Sequence, residues 1–356
     1  MRRDKTEKIA DCSGLESGAG CAAGLLVPRR ELFTLAGALF VAGLVPFGRA
    51  CFAEGVLDRQ PWLQPLVSQH GFSAGYLENL LRGREPRGKV MELMDRQAED
   101  MPYHRYRTLF VTAAMEKQGR ERMKTFRTLF EEVERRFQVP AGLVLAIWGV
   151  ESRFGTHHGE HPVLDTIFTL ATRYSRRATF FQEQFIDLLL LSREEKLDPL
   201  ALKGSYAGAM GQVQMLPGTM RRHAVDFDGD GRKDVFDSVP DVLGSIANYF
   251  RNMGWQTGKP VALPVTLTAG PLTPTYTVDK LETWGDWREK GVSLADKKLS
   301  LPDGEPVGLV RLAAEKGERY YAVLENFAII TRWNRSRNYA MVISELIDLF
   351  GKRKSP

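Results

Sequence analysis

Glu151 is the residue best placed to do chemistry. It stands near the end of the run Val139-Pro-Ala-Gly-Leu-Val-Leu-Ala-Ile-Trp-Gly-Val-Glu151-Ser-Arg-Phe-Gly155, among Ile147, Trp148 and Phe154. A carboxyl group in such apolar company is poorly solvated as an anion. Its pKa is therefore expected to rise, the condition for a general acid near neutral pH. The competing reading is a helix-end glutamate that reaches into solvent. A second constellation is Asp226-Phe-Asp-Gly-Asp-Gly-Arg-Lys-Asp-Val-Phe-Asp237. Its carboxylates fall at loop positions 1, 3, 5, 9 and 12, with Gly231 at position 6 for the sharp turn, the spacing of a calcium loop. Asp226, Asp228 and Asp230 would give side-chain oxygens and Arg232 its backbone carbonyl. Asp237 stands where a glutamate is usual, and Asp241 is a further candidate for completing the shell.

Two more segments offer neutral polar groups. In Lys203-Gly-Ser-Tyr-Ala-Gly-Ala-Met-Gly-Gln-Val-Gln-Met-Leu-Pro-Gly-Thr219, four small residues lie between Ser205 and Gln214. Small side chains let backbone approach a ligand closely, and Ser205 and Gln214 then supply the donors and acceptors a sugar needs. Close packing in a buried turn is the alternative. Asn326-Phe-Ala-Ile-Ile-Thr-Arg-Trp-Asn-Arg-Ser-Arg-Asn-Tyr-Ala340 runs from an apolar helix into the polar, aromatic cluster Trp333, Asn334, Ser336 and Tyr339. Aromatic faces with amides suit sugar binding, although capping and ordinary packing explain each residue separately.

The positioning elements read as mostly helical. The Glu151 segment is an apolar helix with Pro140 expected at its first position and Gly155 as its stop. Leu143, Ile147 and Val150 should form its core face. Further helices are expected over Glu121–Phe137, Thr166–Arg173 and Arg177–Ser192. From about Gly258 to Val310 the texture changes. Pro260-Val-Ala-Leu-Pro-Val-Thr-Leu-Thr, Pro271-Leu-Thr-Pro-Thr-Tyr-Thr-Val and Leu301-Pro-Asp-Gly-Glu-Pro carry strand and turn signals, so a small β-containing insert is expected. Helix is expected to return over Tyr321–Arg332 and Tyr339–Gly351.

Composition sets outer limits. A chain of 356 residues with 43% hydrophobic and 26% charged residues suits a globular protein of two or three domains. The net charge of +5 is a weak excess, compatible with a polyanionic substrate or a membrane surface. No Arg/Lys stripe is interleaved with aromatics, which argues against nucleic acid. Arg29-Arg30 precede an apolar stretch from Leu32 to Val45 that is short for a membrane span and suits the core of an export signal. The arginine pair hints at a twin-arginine route. A buried N-terminal helix is the competing reading. All three cysteines, Cys12, Cys21 and Cys51, lie in this leader, so the body has neither disulfides nor a cysteine metal site. Cys51 follows Gly48-Arg49-Ala50, which loosely resembles a lipoprotein processing site in which Arg49 fits poorly; membrane anchoring by lipidation of Cys51 is one reading, and an incidental cysteine near a cleavage site is the other.

Together these segments resemble the membrane-bound lytic transglycosylase B family, from about Leu57 to Phe350. The specific blocks are Trp148-Gly-Val-Glu-Ser-Arg-Phe-Gly, Tyr174-Ser-Arg-Arg-Ala, Ser205-Tyr-Ala-Gly-Ala-Met-Gly, the Asp226 loop with Gly244-Ser-Ile-Ala-Asn-Tyr-Phe, and Arg332-Trp-Asn-Arg-Ser-Arg-Asn-Tyr-Ala. The resemblance implies a mainly α (α+β) fold with a lysozyme-like helical core, additional helices and a small β-containing insert. The expected division is a leader over 1–53, an N-terminal helical region over 54–140, and a catalytic core with the calcium loop over 141–257. The insert then occupies 258–315, and C-terminal helices completing core and cleft occupy 316–356.

The resemblance also implies an exported, periplasmic enzyme. It would cleave the β-1,4 bond between N-acetylmuramic acid and N-acetylglucosamine in peptidoglycan, with Glu151 as sole acid and base and a 1,6-anhydromuramoyl end as product. Tyr106, Arg176, Arg177, Ser205, Gln214, Tyr249, Asn334 and Tyr339 fall on positions the family uses to line its glycan cleft. Calcium would be structural, and no organic cofactor is implied. Trp333 departs from the family, standing where a tyrosine is common, which puts one hydroxyl contact in question. Gln212-Val213 lie in a variable stretch. The rival readings are a hydrolytic muramidase and a non-catalytic peptidoglycan-binding protein. The sequence carries no signal for oligomeric state.

Overall fold

The computed structural model describes residues 55–95, 101–268, 270 and 281–351. The leader with its three cysteines, and the strand signals of Pro271-Leu-Thr-Pro-Thr-Tyr-Thr-Val, lie outside these residues. All the described residues belong to one compact unit. No helix among them is long and apolar enough to cross a membrane.

The centre of the fold is the helix Ala141–Ser152. Leu143, Val144, Leu145, Ala146, Ile147 and Trp148 are all buried, so the helix is enclosed on nearly every side instead of showing one apolar face. An all-apolar helix is stable only when other elements cover its whole circumference. The helices Arg337–Gly351, Val239–Asn252, Ala113–Thr125 and Arg127–Phe137 supply that cover. Val150, expected in the core, is only half-buried. Pro140 sits one position earlier than expected, as the extended N-cap with ψ 138°. The exposed Ala141 N–H donates instead to Glu134 Oε2 at 3.1 Å, a side chain satisfying an end group that has no partner within its own helix.

Other helical expectations shift by small amounts. The helix expected from Thr166 begins at Val163 and ends at Arg173, and the one expected from Arg177 runs over Ala178–Glu194. The single helix expected over Glu121–Phe137 is broken at Phe126, which has φ −107° and ψ 28°. Its ring packs edgewise on Trp148 at 6.0 Å, so a contact to the core replaces one residue of regular helix.

The β region is a five-stranded antiparallel sheet. Its order is Glu282–Thr283, Pro306–Ala313, Glu318–Val323, Ala262–Leu267, Val292–Leu294. The strand Glu318–Val323 lies partly where helix was expected, and helix resumes only at Glu325. The reason is a period of two. Val307, Leu309 and Ala322 point to one face, against Trp284, Trp287, Val292 and Leu294. Val310, Leu312, Tyr321 and Val323 point to the other and join the main helical core. Alternate residues of a strand face opposite sides, so these apolar runs are buried twice over. A two-stranded ribbon, His161–Pro162 against Lys203–Gly204, ties the chain after Glu151 to the Ser205 turn.

Candidate active site

Glu151 occupies the last turn of the central helix, and two aromatic side chains from the C-terminal region reach it. Trp333 closes the helix Glu325–Trp333, and Tyr339 lies in the first turn of Arg337–Gly351. The link between these helices is short and self-capped. Asn334 Oδ1 accepts the Ser336 N–H at 3.1 Å, and Ser336 Oγ accepts the Tyr339 N–H at 3.3 Å. Trp333 Nε1 donates to Glu151 Oε1 at 2.9 Å, and the Tyr339 hydroxyl donates to the same oxygen at 2.5 Å. Oε2 accepts no hydrogen bond from the described residues.

Opposing effects act on this carboxyl group. Burial raises its pKa above the ordinary carboxylate value and dominates; the Tyr339 and Trp333 hydrogen bonds favour the anion and pull it back. Among the described residues no second carboxylate acts on it. Asp165, nearby in sequence, is held by Arg84 and Arg87. The site is therefore one raised acid with a donor pair on one oxygen, and not the two-carboxylate arrangement of most glycosidases.

The chain just after Glu151 is unusual. Arg153, Phe154 and Gly155 have φ of 49°, 58° and 83°, three left-handed residues in succession. Such conformations cost about 1 kcal/mol or more for residues with a Cβ and persist only where surroundings enforce them. Ser152 Oγ accepts the Gly155 N–H at 3.0 Å, and Phe154 packs edge-on against Trp148 at 5.6 Å. A Cβ at position 155 would come within 2.3 Å of Gln212 Oε1.

Gln212 is a residue that the sequence reading passed over as part of a variable stretch. It is buried, accepts the Trp148 Nε1–H on Oε1 at 2.9 Å, and donates from Nε2 to Phe236 O at 2.8 Å. Two glutamines flanking Val213 just after Gly211 were the only signal in the sequence.

The other expected residues divide. Tyr249 is buried, packs edgewise on Trp333 at 4.8 Å, and has its hydroxyl pKa pushed up to about 12 by burial. Tyr106 is half-buried and, with Glu151 and Tyr249, lies close enough to Tyr339 to help hold the Tyr339 hydroxyl protonated; burial is the larger cause. Its short helix Tyr103–Arg107 is fastened to the Tyr339 helix because Tyr103 and Arg107 both donate to Glu345. Ser205 Oγ accepts the Ala207 and Ala209 N–H groups at 3.3 and 3.1 Å, so it shapes its own turn and keeps its hydrogen for another partner. Gln214 spends its amide N–H groups on His158 O and Gly211 O, leaving the amide oxygen as acceptor. Asn334 is half-buried beside Trp333. Arg176 and Arg177 are exposed on the turn Ser175–Arg177, where Arg177 lies over Phe180 at 4.2 Å; no described contact links them to Glu151.

In the acidic loop, Asp226, Asp228 and Asp230 each bring one carboxylate oxygen within 4.8 Å of the others. Gly231 has φ 89°, a value side chains resist. Asp237 and Asp241 are not in this group, and Arg232 points its exposed side chain outward, where it approaches Asp234. Asp241 differs most from expectation. It is fully buried, and its two oxygens accept the Phe227 and Asp234 N–H groups, both at 2.7 Å. A side chain inside the first turn of the helix Val239–Asn252 holds the loop's ends from beneath.

A family model described as "Transglycosylase SLT domain" matches residues 58–348. This chain belongs to that family. It is 33% identical over 303 residues to the membrane-bound lytic murein transglycosylase B of Escherichia coli, covering 81% of each protein. The E. coli lytic transglycosylase Slt35, solved in complex with calcium, superposes with a TM-score of 0.75 at 32% identity, covering 82% of this chain and 92% of that one. SltB3 from Pseudomonas aeruginosa, solved in complex with NAG-anhNAM-pentapeptide, superposes with a TM-score of 0.70 at 32% identity, covering 84% of this chain and 80% of that one. The present chain is thus a lytic transglycosylase, an enzyme with the family's mainly helical, lysozyme-like fold and small sheet.

Proposed function

We propose that this transglycosylase cleaves the β-1,4 bond between N-acetylmuramic acid and N-acetylglucosamine in peptidoglycan, with Glu151 as its only acid and base. The carrying observation is the half-buried Glu151 carboxyl with both donors on Oε1 and, among the described residues, no partnering carboxylate. The acid delivers its proton to the bridging oxygen as the C1–O4 bond breaks. The muramoyl N-acetyl group steadies the positive charge at C1, with the Ser205 hydroxyl as its hydrogen-bond partner. The carboxylate that remains removes the proton of the muramoyl C6 hydroxyl, whose oxygen bonds to C1. The product carries a 1,6-anhydro ring, water is not consumed, and Glu151 ends as it began. Trp333 and Tyr339 stabilise the transient carboxylate because hydrogen bonds to an ion are stronger than those between neutral groups.

Tyr106, Gln214, Tyr249, Asn334 and Tyr339 would line the glycan site, with Arg176 and Arg177 holding peptide or lactyl carboxylates. Asp226, Asp228 and Asp230 would hold a calcium ion, a hard cation suited to their oxygens. Its contribution would be structural, neutralising three charges that otherwise repel one another. Export by the leader and anchoring through Cys51 accord with the name of the E. coli relative.

Digestion of purified sacculi followed by mass spectrometry tests the reaction. The expected fragments are lighter than muramidase products by one water; reducing ends at full mass would replace the reading with hydrolysis. Binding without soluble fragments would replace it with a non-catalytic role.

A further inference from the structure

The indole of Trp333 does something a phenol does not. An indole N–H donates and never accepts, whereas a phenolic hydroxyl does either. A carboxyl oxygen has two in-plane lone pairs. On Glu151 Oε1, one is taken by Tyr339 at 2.5 Å and the other by Trp333 at 2.9 Å. The indole is not free to swing away. It stacks on Phe250 with ring centres 5.4 Å apart and planes 10° from parallel, and Tyr249 meets it edge-on at 4.8 Å.

We infer that Trp333 is a positioning residue that biases the catalytic proton toward Glu151 Oε2, the oxygen left for the scissile bond. This rests on the reading of Glu151 as acid and base. A proton placed between Oε1 and Tyr339 makes Oε1 a hydroxyl oxygen, a poorer acceptor for the Trp333 N–H than a carbonyl oxygen, so the indole disfavours that form. Without the indole this penalty is gone, Tyr339 turns round to accept, and more of the protonated enzyme holds its proton away from the substrate, in a form that binds glycan but does not cleave it. With the indole, the productive oxygen carries the larger share of the proton.

The test compares wild type with Trp333→Phe, which keeps the stacked ring and loses the N–H, and Trp333→Tyr, which restores a donor. The pH dependence of kcat and KM is measured on soluble glycan strands. In Trp333→Phe, kcat falls about ten-fold with KM nearly unchanged, because orientation is lost while binding is kept. The alkaline limb moves up by about one pH unit, since a donor to the anion is worth of the order of one unit. Trp333→Tyr recovers most of both. An unmoved limb, or a loss confined to KM, overturns the inference. Should Trp333→Phe not fold, wild-type protein with 15N-labelled tryptophan decides: the Trp333 indole N–H resonance must titrate with the midpoint of the limb, and an invariant resonance overturns the inference. Glu151→Gln separates the two levels, because turnover retained there removes the acid itself, whereas an inactive Glu151→Gln with an unmoved Trp333→Phe limb removes only the role of the indole.

Discussion

The indole N–H of Trp148 and the amide oxygen of Gln212 meet at 2.9 Å in the interior, three residues before Glu151. Gln212 also grips the far end of the acidic loop, its N–H donating to Val235 O at 2.9 Å and its side chain to Phe236 O at 2.8 Å. One side chain thus joins the helix that carries the acid to the loop proposed to carry calcium. Replacing it by Leu leaves the Trp148 N–H and the Phe236 carbonyl without partners in a buried place. Each such group costs about 1–3 kcal/mol. Gln212→Leu should therefore lower stability by about 2–5 kcal/mol, read as the shift of a denaturant midpoint at constant slope.

Glu151→Gln keeps the shape of the side chain and an oxygen able to accept from Trp333 and Tyr339, but it cannot ionise. Cleavage of sacculi should fall by about a thousand-fold or more, within the usual range for removing a general acid. Circular dichroism should show an unchanged helical signal. Turnover near wild type would refute the role assigned to Glu151.

The same variant carries a stability prediction with a definite sign. An unfolded glutamate titrates near its ordinary 4.5, while burial raises Glu151 in the folded protein. Between these values the native state binds more protons than the unfolded state, so stability declines as pH rises. The contribution of Glu151 is fully present below 4.5 and is lost as pH climbs through the raised folded value. Glu151→Gln should then melt above wild type at pH 7, with the margin shrinking toward pH 4. A margin that ignores pH would contradict the burial of this carboxyl.

Calcium should act on melting and not on the chemical step. Binding at a hundred times its Kd stabilises by about 2.7 kcal/mol, which for a chain of this size is a rise of roughly 5 °C. Chelation should remove that rise and added calcium should restore it, whereas Asp230→Asn should melt alike in both conditions. Calorimetry with and without chelator measures this directly.

The sequence carried the helical plan and the acid because both follow from local pattern. Apolar density around Ile147 and Trp148 marks a buried helix, and a carboxylate at its end is conspicuous. The end of the strand Glu318–Val323, from Tyr321 onward, looks helical in the sequence because Tyr321 and Val323 become interpretable only once both faces of the sheet have something to cover. Asp241 looked like a ligand because acidic spacing says nothing about direction; in the fold its oxygens are already taken by backbone N–H groups. Trp333 and Glu151 lie 182 residues apart. No window along the chain could join them, and in the sequence the tryptophan stands out only as part of a polar, aromatic cluster and as a departure from a family pattern.

The sheet has a consequence for how the molecule behaves in company. Its outermost members are Glu282–Thr283 and Val292–Leu294, two and three residues long, while the longer strands lie inside. These two outermost strands themselves present few unpaired N–H and C=O groups to a neighbouring polypeptide, although beyond Glu282 no described strand lies along the outer edge of Gly308–Ala313. The outermost strands of the sheet therefore offer little template for growth into fibrils.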